Sequence, residues 1–190
     1  KSFRAGSPSP AIGGYTHYDP QGRVDAEWLA APVGGGAAFS PLEDVRTSQA
    51  ATTGMYTSVS YDPDPRGRER ERLRPGRARH AAGKGVRTEY LYNTGYFRDE
   101  THCPRLCVKS GRLTVQGGWK PGELRVTRVT DEDGERLLTF TDPRGRVVME
   151  RRVTSGGERS DVRHHYDAHG RLWLSAPPYA SRCLDGGVGI

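Results

Sequence analysis

Long apolar runs are missing from this chain of 190 residues. No stretch approaches the ~20 consecutive apolar residues that a membrane-spanning helix needs, so that class is excluded. Apolar side chains are scarce throughout, at 34%. An ordinary soluble domain carries roughly 45–50% on a count that includes glycine, and the 25 glycines only bring this chain near the bottom of that range. Such a supply is thin for an independent globule of this length. It suits a thin sheet wall, or a piece that completes its core against neighbouring sequence. The chain also opens on Lys1 with neither an initiator Met nor a signal peptide, which reads as a processed or trimmed end that has lost its address.

Cysteine is scarce too, and its three copies leave at least one thiol unpaired. Cys103 and Cys107 lie close together beside His102, while Cys183 stands alone. Zinc would need a fourth ligand from a distant segment, so the pattern does not define a metal site. Export would allow one disulfide. No GxSxG nucleophile elbow occurs. Gly34-Gly35-Gly36 reads as a linker between hairpins, and Gly83-Lys84-Gly85 lies in a basic segment; neither is a phosphate loop or a dinucleotide fingerprint. Among six histidines only His164, His165 and His169 cluster, near Asp161 and Asp167. Strand alternation sends adjacent side chains to opposite faces, so the cluster reads as a solvated strand. No catalytic residue, metal ligand or cofactor site emerges, and the expectation is a protein that is not an enzyme.

What the chain does have is charge, turns and short strands. Its net charge is +6, and much of the excess sits in 66–87, which carries eight arginines and Lys84 against Glu69 and Glu71. A basic block can bind phosphates, but no interleaved aromatics are present to stack bases. We read 66–87 as a solvated basic loop with no specific nucleic-acid partner. The 25 glycines and 13 prolines are spread along the chain, as expected of many tight connections between short strands.

One turn keeps returning. Tyr18-Asp19-Pro20-Gln21-Gly22-Arg23 recurs as Thr141-Asp142-Pro143-Arg144-Gly145-Arg146 and as Tyr166-Asp167-Ala168-His169-Gly170-Arg171. A stretched copy runs from Tyr61-Asp62 to Gly67-Arg68, and a degenerate one is Thr130-Asp131-Glu132-Asp133-Gly134. Asp accepts hydrogen bonds from backbone N–H groups two residues on. Proline presets the φ of a type I turn. Glycine takes the left-handed conformation that closes a three-residue hairpin with a bulge. Arg then opens the return strand with its stem over a neighbouring ring, and Tyr ends the outgoing one. Tyr18, Asp19, Gly22, Arg23, Tyr61, Asp62, Gly67, Asp142, Gly145, Arg146, Tyr166, Asp167, Gly170 and Arg171 are therefore the candidate structural residues.

The flanks agree, being short and rich in β-branched and aromatic residues: 15–18, 56–61, 137–140, 147–150, 162–166 and 172–174. Further strands are expected at 88–92, 112–116 and 123–129, and one short helix at 41–49. The class is all-β, built of successive antiparallel hairpins. The expected layout is an extension or linker over 1–14, one β domain over 15–183, and a tail over 184–190.

These residues resemble the YD-repeat, or Rhs-repeat, family, whose hallmark is a tandem hairpin of the form Tyr-Asp-x-x-Gly-Arg. The ordered set resembles the segment that opens the Rhs region of large Bacteroidota proteins. It comprises the turn at Tyr18-Asp19, Glu27-Trp28-Leu29, Gly83 to Tyr90, Gly122 to Gly134, and Tyr166-Asp167 through Leu174 to Pro177-Pro178. The likeness spans 11–182. It implies hairpins joined edge to edge into a curved sheet that forms part of a hollow β-shell, around an effector or toxin at the C-terminal end of an exported or surface-displayed protein. Its implied partners are the rest of the shell and that effector polypeptide. Two departures stand out: the repeats here are too few to close a cavity, and the family's Asp-Pro-x-Gly-Leu self-cleavage motif is missing, since Arg146 stands where Leu is required. A second reading from another class is a surface module that grips glycan or an anionic surface through Tyr15, Tyr18, Trp28, Tyr90, Tyr92, Trp119, Trp173 and Tyr179 together with the basic block.

Overall fold

The structure, a computed structural model, describes residues 11–33 and 54–187. The helix expected at 41–49 and the Gly34-Gly35-Gly36 linker lie outside the described residues. The chain divides into two compact units, 1–86 and 87–190, and the class is all-β.

In the first unit, β1 (Ala11–Gly13) and β4 (Ala31–Val33) pair antiparallel. A second sheet runs in the order β2 (Thr16–Tyr18), β3 (Val24–Trp28), β5 (Tyr56–Tyr61) and β6 (Glu69–Leu73), antiparallel throughout. A short helix α1 (Arg77–Ala82) follows. Apolar burial is slight here, with Val59 the one buried hydrophobic side chain among the described residues. Aromatic stacking takes its place: Tyr15, Trp28, Tyr56 and His80 form a row with centroids 4.9, 4.9 and 4.4 Å apart. Offset and tilted ring pairs at such distances add to the area they bury. Gly54 lets α1 approach, because a Cβ there would stand 2.9 Å from the Arg77 Cα.

The basic segment 66–87 is not simply a loop, as its charge suggested. Glu69-Arg70-Glu71-Arg72-Leu73 has the two-residue period of a strand, and it forms β6. Acids in and beside the segment pair with its cations at close range: Arg72 donates to Glu69 along the strand, and Arg68 donates to Asp64 at 2.6 Å.

In the second unit six strands form an antiparallel sheet. Its order is β7 (Val86–Tyr92), β10 (Arg125–Thr130), β11 (Arg136–Thr141), β12 (Val147–Val153), β13 (Arg159–Tyr166) and β14 (Leu172–Ala176). A separate hairpin joins β8 (Pro104–Lys109) to β9 (Arg112–Gly118). Its Ser110-Gly111 connection has φ of 49° and 77°, the positive pair that matches strand twist in a two-residue turn. Helix α2 (Pro178–Asp185) closes the unit and was not anticipated in the sequence. Pro178 at its first position and Gly186 after its end are the ordinary start and stop signals.

One face of the sheet buries Leu124, Val126, Leu138, Phe140, Val148, Met149 and Val153 with Cys103. A second cluster of Leu113, Ala176 and Leu184 seats α2 against β9 and β14. Burial raises the Cys103 thiol to about 12, so it stays protonated. All three cysteines are free thiols. Buried Asn93 organises the approach to β10: it accepts from the Leu124 N–H at 2.8 Å and donates to the Lys120 carbonyl at 2.9 Å.

Candidate functional site

The recurring hexapeptides all sit at strand reversals. Asp19 connects β2 to β3, Asp62 connects β5 to β6, Asp142 connects β11 to β12, and Asp167 connects β13 to β14. The Asp142 turn shows the chemistry best. The Gly145 N–H donates to the Asp142 carbonyl at 2.9 Å, and the Asp142 N–H donates to the Arg146 carbonyl at 2.9 Å. The carboxylate accepts from the N–H groups of Arg144 and Arg146, each at 2.9 Å, and from Arg146 Nε at 2.8 Å. Asp19 and Asp167 repeat this set with Arg23 and Arg171. In the stretched copy the Asp62 N–H reaches across to the Arg68 carbonyl at 2.9 Å.

Burial alone would raise the Asp142 carboxyl, but the bonds and charge of Arg146 outweigh it and hold the group below its usual 3.8. Glycine is required because φ is +83° at Gly145 and +82° at Gly170. Gly145→Val or Gly170→Val should therefore cost roughly 1–3 kcal/mol through backbone strain. Chemical denaturation measures this, and an unchanged midpoint would refute the assignment.

The structure adds a contact between hairpins. The Arg23 guanidinium lies 4.2 Å from the ring centre of Tyr61, whose hydroxyl donates to the Val24 carbonyl at 2.7 Å. The Arg146 guanidinium lies 4.9 Å from the ring centre of Tyr166, whose hydroxyl donates to the Val147 carbonyl at 2.8 Å. In these two latches the turn Asp fixes an Arg, the Arg carries the Tyr that ends the next hairpin's first strand, and the Tyr hydroxyl ties itself to the strand that the Arg opens. Cation–π stacking at partly desolvated sites is worth about 0.5–2 kcal/mol. Tyr18 and Arg171 carry no such partner among the described residues and stand 56% and 77% exposed, the latter on its side chain.

Two constellations escaped the sequence reading. Thr154 caps the reversal between β12 and β13 in the place of Asp, accepting from the Glu158 N–H at 3.1 Å, with Gly157 at φ 86°. Asp131, in the degenerate copy, likewise accepts from Glu135 but has no Arg to hold. The other constellation is a buried charge network. Arg151 donates to Asp161 at 2.8 and 2.7 Å and to the carbonyls of Glu100 and His102. Arg163, 2% exposed, donates to Asp161 at 3.2 Å and to both Asp185 oxygens at 2.8 and 2.7 Å. Burial disfavours the Asp161 anion, yet the two guanidinium groups hold its carboxyl below the usual 3.8. Burial, then the Arg151 and Arg163 charges, lower His102 below 6.5.

A cleft of about 200 Å³ opens beside this network, lined among others by Phe97, His102, Arg159 and Arg182. Arg159 already donates to the Arg98 and Asp99 carbonyls, at 2.8 and 3.4 Å. The histidine cluster disperses: His164 meets Ser175 Oγ at 2.9 Å, His165 packs edge-on to Trp173, and Asp161 belongs to the charge network. No group of three metal-binding side chains occurs among the described residues, and no helix there is long and apolar enough to cross a membrane.

A scan against protein-family models finds none that matches this chain, and a search of curated proteins finds no match either.

Proposed function

We propose that this chain is a structural segment of a YD/Rhs-repeat shell that encloses or presents a C-terminal effector polypeptide in an exported or surface-displayed protein. The observation that carries the reading is the repeated Asp–Arg–Tyr latch. It joins one hairpin to the next at Arg23–Tyr61 and again at Arg146–Tyr166. A unit that locks its neighbour with the same three side chains is how a sheet is extended by tandem copies, each burying what the previous one leaves open. The thin core of the first unit fits a wall whose far face is supplied by other sequence. On this reading the chain supplies architecture, and its partners are the rest of the wall and the polypeptide within.

Electron cryomicroscopy of the intact gene product tests it. The expected result is that these strands continue into further hairpins of one wall around a closed cavity. A map showing this chain as a separate globule on a flexible tether would overturn it.

A further inference from the structure

The latch leaves one unused half at each of two strand edges. In both complete latches the pairing register is the same. Ala26 faces Ser58 and Met149 faces Arg163; extending each register by three places sets Arg23 opposite Tyr61 and Arg146 opposite Tyr166. The accepting strand opens just after the turn Arg, and the arriving strand runs antiparallel and ends on Tyr. Strand β14 has the accepting half. It opens at Leu172 after Arg171, which Asp167 fixes at 2.7 Å as Asp19 fixes Arg23 and Asp142 fixes Arg146. Yet the Arg171 side chain is 77% exposed, against 30% for Arg23 and 25% for Arg146. Leu172 and Trp173 beside it are 55% and 56% exposed, and β14 ends its sheet. Strand β2 has the arriving half: it ends its own sheet and finishes on Tyr18, 56% exposed.

We infer that these halves fit each other between molecules, so that β2 of a second copy of this chain adds antiparallel to β14 with its Tyr18 stacked on Arg171. The shared register sets Leu172 opposite His17, Trp173 opposite Thr16 and Leu174 opposite Tyr15 of that copy. The Tyr18 hydroxyl then donates to the Leu172 carbonyl, as Tyr61 does to Val24 and Tyr166 to Val147. Strand addition at an open edge supplies the backbone hydrogen bonds, and the Tyr–Arg pair supplies the register. Such a contact is heterologous, so the assembly still offers one free half at each of its ends and growth does not stop at two. The inference rests on the latch geometry and applies to this chain by itself; in a longer wall, neighbouring hairpins of the same polypeptide would take both halves.

Sedimentation velocity over a protein concentration series tests it. A three-residue strand buries little surface, so assembly is expected toward about 1 mM protein. The wild-type chain should form dimers and larger species there, while Tyr18→Ala and Arg171→Gln should each stay monomeric with unchanged circular dichroism and melting. Mixing the two variants in equal amounts should restore a dimer and nothing larger, because each blocked chain keeps the half that the other lacks. Monomeric wild type at about 1 mM, loss of assembly in only one variant, or a mixture that stays monomeric would each overturn the inference. If Arg171→Gln disturbs the turn, Tyr18→Phe is read by itself instead of the mixture, since it removes only the hydroxyl and should weaken assembly without altering the fold; assembly equal to wild type would overturn the inference. Failure here would leave the shell reading untouched, since that rests on the intact gene product.

Discussion

Asp161→Ala is expected to destabilise the second unit by about 3–5 kcal/mol, the ordinary loss when one partner of a buried ion network is removed. The substitution leaves Arg151 and Arg163, 5% and 2% exposed on their side chains, without the carboxylate that both address. Arg163 would retain Asp185, and Arg151 would retain only neutral carbonyl partners from Glu100 and His102. Urea denaturation should show a lower midpoint with an unchanged slope; a shift below about 1 kcal/mol would show the network to be ornamental. The acid response gives a second reading. A carboxyl held below 3.8 in the folded state contributes stability that is complete above that value and is lost as pH falls through the folded value. A histidine held below 6.5 contributes in the same direction, its share fading as pH drops beneath 6.5. Acidification should therefore weaken the wild type in two stages, and Asp161→Ala should shrink the lower one, which Asp142, Asp167 and Asp99 share.

Asp142→Ala should cost about 2–4 kcal/mol, because it strips two backbone N–H groups and one guanidinium of their shared acceptor at a site only 2% exposed. The damage spreads beyond the turn, since Arg146 then loses the anchor that holds it beneath Tyr166. Asp167→Ala makes the same local change where Arg171 carries no ring, and the expected loss is smaller. The difference between the two denaturation midpoints contains the latch together with the greater exposure of Asp167, 24% on its side chain against 2% for Asp142. Equal losses would mean that Arg146 and Tyr166 add nothing across the hairpins.

The reversals were legible in the sequence because their chemistry is local: Asp, Gly and Arg act within five residues of one another. Their consequence was not. Tyr61 and Val24 lie 37 positions apart, and no spacing rule announces which turn receives which ring until the register between hairpins is known. The charge network was hidden for another reason. Arg and Asp belong at the surface by default, and only the inward phase of Met149, Arg151 and Val153 on β12 places a guanidinium in the core. Helix α1 was masked by its own arginines, which read as part of a basic loop. Helix α2 was masked by an expected tail boundary at 183, which falls inside it.

From β11 to β14 each strand pairs with the one made just before it. Such a serial meander asks for only short loop closures, which keeps its contact order low and its assembly fast. During synthesis each new hairpin can settle on the last as soon as it clears the ribosome, without waiting for a distant partner. The order of translation and the order of the sheet coincide, so growth of the one is also growth of the other.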